Sequence, residues 1–238
     1  MLRRSLLPSL AIRPASAPSY EGLAAGVQRF ASLALVLVLM CTFPLAAAER
    51  TVRAVALGDS LTAGLGLPAD AAFPVKLERA LRDRGFQVEV LNAGVSGDTA
   101  TRGLARLDWS VPEGTDAVIV ELGANDMLMG VDPSVTRKAL AEILRRLSQR
   151  QIAVLLVGMR AAPNLGPEYG RAFEAIYSDL AAQNNVPLYP FFLEGVAAEA
   201  TLNQADGLHP TAAGIDVIVA RILPMVEGLV MRVREKRQ

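Results

Sequence analysis

Two rhythms of hydrophobic and polar positions alternate along this chain. Short, mostly apolar runs (Ala54–Leu57, Val88–Leu91, Ala117–Leu122 and Ile152–Val157) end at Gly or Asn residues. That length and composition predict strands buried on both faces. Between the runs, apolar residues recur at helical spacing. Residues 71–84 bring Val75, Leu77, Ala80 and Leu81 onto one face and stop at Gly85. Residues 98–107 read as a helix with Asp98 as its N-cap. Asp132-Pro133 opens a helix to about Arg150 with Val135, Ala139, Ile143, Leu144 and Leu147 as the inner positions. A helix over 167–184 turns Phe173, Ile176, Tyr177 and Leu180 inward, and a proline-broken fifth strand is expected over 186–192. The last helix runs from Ala212 to about Val233, with Pro224 expected to kink or interrupt it. Five alternations of strand and helix without an internal repeat predict an α/β protein. The expected architecture is a three-layer α/β/α sandwich on a five-stranded parallel sheet with right-handed crossovers.

The first fifty residues break the rhythm. Arg3, Arg4, Arg13 and Arg29 precede the apolar run 31–43, and Pro44 and Ala46-Ala47-Ala48 follow it. A basic lead, a short apolar stretch and small residues are the parts of a secretory signal. The run is too short for a comfortable membrane span. Residues 1–48 are therefore expected to be a signal peptide, cleaved near Ala48, leaving 49–238 as one exported domain in the periplasm or outside the cell. An uncleaved anchor is the alternative.

Composition narrows the partners. Lys plus Arg and Asp plus Glu are both 24, so no charge excess points to nucleic acid or an anionic membrane surface. Four arginines and one glutamate precede Glu49, so the remainder carries a formal charge of −3. The only cysteine, Cys41, lies in the expected signal, which leaves no disulfide, thiol nucleophile or cysteine metal site. No metal or other cofactor is expected.

The polar residues and glycines collect where the strands end, and ligands of open α/β sheets bind outside those C-terminal ends. The first strand delivers Asp59 and Ser60, the second Gly94 and the third Asn125. The single histidine, His209, follows Asp206 by three residues. A serine nucleophile needs a base that titrates near neutrality, and only one histidine is available. Asp206 could then fix its tautomer. Each residue also has a plainer reading: Ser60 as a helix cap, His209 as a surface residue, Gly94 as a turn glycine, Asn125 as a loop end. Met127, Leu128 and Met129 follow the third strand end. With Arg160, at the start of the loop 160–170, they are the expected lining of a substrate pocket.

Taken together, Gly58-Asp-Ser-Leu61, Gly94, Gly123-Ala-Asn-Asp126 and Asp206-Gly-Leu-His-Pro210 resemble, in order, the blocks of the SGNH, or GDSL, hydrolases. Tyr189-Pro-Phe-Phe-Leu193 is similar to the bacterial periplasmic thioesterase, lysophospholipase and arylesterase subgroup. The resemblance implies a flavodoxin-like fold, with Ser60 as nucleophile, His209 as general base and Asp206 as third member. It also implies an oxyanion hole made by the N–H groups of Ser60 and Gly94 and the amide of Asn125. The implied reaction is hydrolysis of small acyl or aryl esters, acyl-thioesters and lysophospholipids through an acyl-enzyme on Ser60, with no nucleic acid, stable membrane insertion or obligate protein partner. Two alternatives stand beside it: a carbohydrate O-acetyl esterase using the same blocks, and an exported non-catalytic binding protein on a hydrolase scaffold.

Overall fold

The structure, a computed structural model, describes residues 50–237; the expected signal peptide lies outside the described residues. The five strands are β1 (Val52–Gly58), β2 (Val88–Gly94), β3 (Ala117–Glu121), β4 (Ala153–Val157) and β5 (Leu188–Tyr189). They form one parallel sheet in the order β2-β1-β3-β4-β5. Every residue of β3 is buried, as a strand covered on both faces must be. The order reverses between β1 and β3, and at that switch point the connections leave on opposite faces, opening a crevice at the strand ends. Gly58 at the end of β1 stands in register with Gly94 on one side and Glu121 on the other.

On one face, α2 (Phe73–Asp83) packs against α8 (Ala212–Glu235). On the other, α6 (Pro133–Gln149) packs between α3 (Ala100–Ala105) and α7 (Pro167–Asn184). Short helical turns α1 (Ser60–Ala63) and α5 (Ala124–Leu128) follow the C-terminal ends of β1 and β3, and α4 (Leu107–Ser110) follows α3 on the way into β3.

Four sequence expectations need correction. In α6 the inner row is Thr136, Ala139, Leu140, Ile143, Leu144 and Leu147, and Val135 is exposed. Thr136 takes the inner position because its hydroxyl donates to the buried Asp126 carboxylate at 2.8 Å, which satisfies a polar group that a valine would leave unpaired. In α2 the buried positions are Phe73, Pro74, Leu77 and Leu81, with Val75 exposed. The expected helix over 98–107 is two pieces, capped by Thr99 rather than Asp98 and broken at Arg106, whose side chain turns inward. Helix α8 runs through Pro224 without interruption. Pro224 faces solvent while Ile222, Leu223 and Val226 stay buried, so water can serve the backbone group that loses its partner.

The fifth strand shrinks to two residues because Pro187 and Pro190 flank it and neither can donate to the ladder. The C-terminal residues are tied down: Arg237 pairs with Asp116 and donates to the Arg50 carbonyl at 3.1 Å. Beyond β5, Phe192 packs edge-to-face on Phe73 with ring centroids 5.0 Å apart, which pins the segment carrying Phe191 against the core. Among the described residues, no helix is long and apolar enough to cross a membrane.

Candidate active site

Strand β1 ends at Gly58, and Asp59 turns the chain into the single helical turn α1. Asp59 lies outside helical geometry, at φ −105° and ψ −141°, and its Oδ1 accepts the Leu61 N–H at 3.0 Å. This side chain caps the turn, so Ser60 occupies the first helical position, where its own N–H has no acceptor within the helix. Gly64 closes the turn in the left-handed region at φ 82°.

The Ser60 hydroxyl donates to His209 Nε2 at 2.9 Å, and His209 Nδ1–H donates to Asp206 Oδ2 at 2.6 Å. Asp206 Oδ1 accepts two more bonds, from the backbone N–H groups of Leu208 (2.9 Å) and His209 (3.0 Å). Those backbone donors, with the imidazole, hold the Asp206 carboxyl well below the ordinary carboxylate range although it is 45% exposed. Three residues of spacing suffice because the backbone folds back on the carboxylate. Gln204, which sequence reasoning missed, fastens this loop to the serine segment. Its amide Nε2 donates to Leu65 O at 2.7 Å and Pro210 O at 3.0 Å, and its backbone N–H to His209 O at 2.7 Å. A lone glutamine in a loop carries no pattern that would have marked it.

Behind the serine lies a second set of carboxylates. Burial, above all, pushes the Asp59 carboxyl up to about 6. Burial and the neighbouring Asp59 charge push Glu121 well above its usual range, and the Thr62 hydroxyl donates to Glu121 Oε2 at 2.7 Å. Asp126, also buried, accepts from Thr136 and from the Ala100 N–H at 2.8 Å. Asn125 bridges this region to the cleft: its Nδ2 donates to the Asp98 carbonyl at 3.0 Å and to Asp59 Oδ2 at 3.2 Å.

The structure corrects one expected site residue. The Gly94 N–H is already donated to Asn92 Oδ1 at 2.9 Å, and Gly94 does not line the cleft. Glycine is required there for packing, since a Cβ would strike the backbone of Ala63 in α1. Three residues on, Gly97 does line the cleft, at φ 84°, and among the described residues nothing accepts from its N–H. A positive φ turns that N–H in a way an L side chain would resist.

The cleft beside Ser60 and His209 has a volume of about 510 Å³. Its walls are mainly apolar: Leu65, Leu128, Met159, Phe191, Leu193 and Leu208. Met127, Leu128 and Arg160 line it, and Met129 does not, being exposed to solvent. The Arg160 guanidinium lies 4.8 Å from the Phe191 ring centre and pairs with Glu194 at 3.6 Å, so it stands at the wall rather than free in the opening. Among the described residues, no group of His, Cys, Asp and Glu is assembled to hold a metal ion.

Comparison with known proteins fits this arrangement. The sequence profile of the GDSL-like lipase/acylhydrolase family matches residues 56–217, from the second half of β1 into α8. Esterase TesA of Pseudomonas aeruginosa is 39% identical over 184 residues, covering 77% of this chain and 90% of that relative. Thioesterase 1/protease 1/lysophospholipase L1 of Escherichia coli K12 is 39% identical over 179 residues, covering 75% and 83%. Among solved structures, AlinE4, an SGNH-hydrolase family esterase, superposes with a TM-score of 0.64 at 44% identity, covering 75% of this chain and 96% of that one. A serine, a histidine and an aspartate in hydrogen-bonded series at the switch point of a 2-1-3-4-5 sheet, within a matched span that holds all three, leave one assignment: the chain is an ester hydrolase of the GDSL-like lipase/acylhydrolase family.

Proposed function

We propose that this protein hydrolyses small acyl or aryl esters and acyl-thioesters, including lysophospholipids, through an acyl-enzyme on Ser60. The observation that carries this reading is the hydrogen-bonded series Ser60–His209–Asp206, at 2.9 and 2.6 Å, opening on an apolar cleft. His209 Nε2 takes the Ser60 proton as Oγ bonds to the substrate's carbonyl carbon. Asp206, held ionised by three N–H donors, stabilises the imidazolium that forms. The tetrahedral intermediate collapses when the imidazolium returns the proton to the leaving oxygen or sulfur, breaking that bond. Water, deprotonated by the same imidazole, then attacks the acyl carbon and releases the acid and free Ser60.

The oxyanion hole is the Ser60 and Gly97 N–H groups with the Asn125 amide. Both Asn125 hydrogens are directed at acceptors, so donation to the oxyanion replaces the longer bond, the one to Asp59 at 3.2 Å. A fresh anion is a stronger acceptor than a carboxyl that is partly protonated near pH 6. Preorganised donors of this kind stabilise the transition state more than the ground state.

The cleft favours acyl or aryl groups over a sugar: its lining offers hydrocarbon contact and few hydrogen-bond partners for ring hydroxyls. The proposal includes export, with residues 1–48 as a cleaved signal and the enzyme acting in the periplasm or beyond. The test compares purified wild type with Ser60→Ala on p-nitrophenyl esters from acetyl to palmitoyl, with palmitoyl-CoA and a lysophospholipid alongside. Serine-dependent turnover that rises beyond acetyl supports the reading. Turnover confined to acetyl esters moves it to the O-acetyl esterase. Turnover that survives in Ser60→Ala refutes it.

A further inference from the structure

A buried ion pair that the reaction above does not use stands behind the oxyanion donors. Arg106 is 6% exposed, and its guanidinium makes three bonds in three directions. Nε donates to Asp98 Oδ2 at 2.5 Å, Nη1 to Ser110 Oγ at 2.9 Å and Nη2 to the Gly58 carbonyl at 2.8 Å. The Gly58 carbonyl also accepts the Val95 N–H at 3.1 Å, and the Asp98 N–H donates to Val95 O at 3.1 Å, closing the turn that contains Gly97. The carbonyl of Asp98 in turn holds Asn125 Nδ2 at 3.0 Å.

One planar fork therefore joins the three segments that carry the oxyanion donors. Gly58 precedes Asp59 and Ser60, Asp98 follows Gly97, and the Asp98 backbone orients Asn125. Helix α3 is broken at Arg106, at φ −104° and ψ 6°, where this side chain is delivered inward. Burying a charged pair costs desolvation that its attraction only roughly offsets, so stability alone is a poor reason for it. Fixed direction is what a guanidinium offers that an apolar pair, or a lysine, does not. It also neutralises the Asp98 carboxylate, which unpaired would oppose a nearby oxyanion.

We propose that Arg106 and Asp98 are positioning residues of the oxyanion hole, setting the mutual placement of the Ser60, Gly97 and Asn125 donors. This rests on the proposed roles of those three donors. Neither residue touches the substrate.

The test uses the whole protein in the variants Arg106→Lys, Arg106→Met and Asp98→Asn, each also combined with Asn125→Ala. Turnover of p-nitrophenyl butyrate is expressed per active site titrated with a fluorophosphonate, which removes any misfolded fraction from the comparison. Arg106→Lys should lower kcat by about 10- to 100-fold with KM within about twofold, the split expected when only transition-state contacts are lost. Affinity for an alkyl trifluoromethyl ketone, which adds Ser60 Oγ to give an oxyanion, should fall by a similar factor. On the Asn125→Ala background the same substitution should cost clearly less, because one of the three donors it places is already gone. If Arg106→Met does not fold, the Lys and Asn variants decide. A lowered melting temperature with unchanged kcat per active site in Arg106→Lys and Asp98→Asn would overturn the proposal. So would an equal loss with and without Asn125. Absence of turnover in wild type is a different failure: it would remove the hydrolase reading itself, and the positioning role with it.

Discussion

Two aspartates flank the Ser60–His209 pair, and their surroundings push them in opposite directions. Asp206 sits on a loop, 45% exposed, and accepts three N–H bonds. Asp59 is wholly buried, accepts one backbone N–H and one longer amide bond, and lies near two further carboxyls, Glu121 and Asp126. The donors hold Asp206 charged, while burial raises Asp59 to about 6. Burial with few donors raises the one carboxyl, and three aimed donors lower the other. The two also divide the labour: a permanently ionised carboxylate supports the imidazolium, and one that is easily neutralised can give up the Asn125 amide to a developing oxyanion.

The comparison can be broken most severely at Asp206. Asp206→Asn keeps the shape of the loop but presents an amide to His209 Nδ1, favouring the wrong tautomer, and kcat should fall by about 10³- to 10⁴-fold. Circular dichroism should show an unchanged fold, and a loss under tenfold would mean that Asp206 does not support the base. Next in size is Asn125→Ala, expected to cost about 10²- to 10³-fold in kcat with little change in KM. Steady-state kinetics on p-nitrophenyl butyrate would check it, and wild-type turnover would take Asn125 out of the hole.

The smallest effect on turnover, about tenfold, is expected for Asp59→Asn, which keeps the cap on Leu61 but sets one amide donor against another at Asn125. Its sharper readout is stability against pH. A carboxyl raised from 3.8 to about 6 binds more protons in the folded state between those values, so its contribution to stability is present at low pH and lost as pH rises through that window. The wild-type-minus-variant difference in unfolding free energy, measured by urea titration from pH 3.5 to 7.5, should therefore fall as pH rises and level off above about 6. A flat or rising difference would mean that Asp59 is not the raised group.

Much of this was legible in the sequence, for identifiable reasons. The parallel sheet followed from apolar runs that end in polar turns; the single histidine only suggested a partner for Ser60, and the Ser60–His209–Asp206 series was implied by the resemblance of the strand-end blocks to the GDSL hydrolases. Misreadings arose where tertiary contacts reassign a residue that local pattern classifies one way. Thr136 counts as polar in a helical pattern, yet it takes the inner row of α6 because Asp126 accepts from it. Asp98 looks like a helix cap, yet Arg106 claims its side chain and Thr99 does the capping. Gly94 ends β2, and Gly97 lies three residues on in the loop that follows. Which of them faces the cleft depends on the Asn92 side chain consuming the Gly94 N–H, a choice no spacing encodes.

The central claim is that Ser60 alone is the activated nucleophile. Intact-mass spectrometry after treatment with an alkyl fluorophosphonate, followed by peptide mapping, tests it directly. The account predicts one adduct per chain, on Ser60, with none in Ser60→Ala and labelling slowed by orders of magnitude in His209→Ala. A folded wild type that takes up no label, or an adduct carried by a different serine such as Ser96 at the cleft edge, would contradict it.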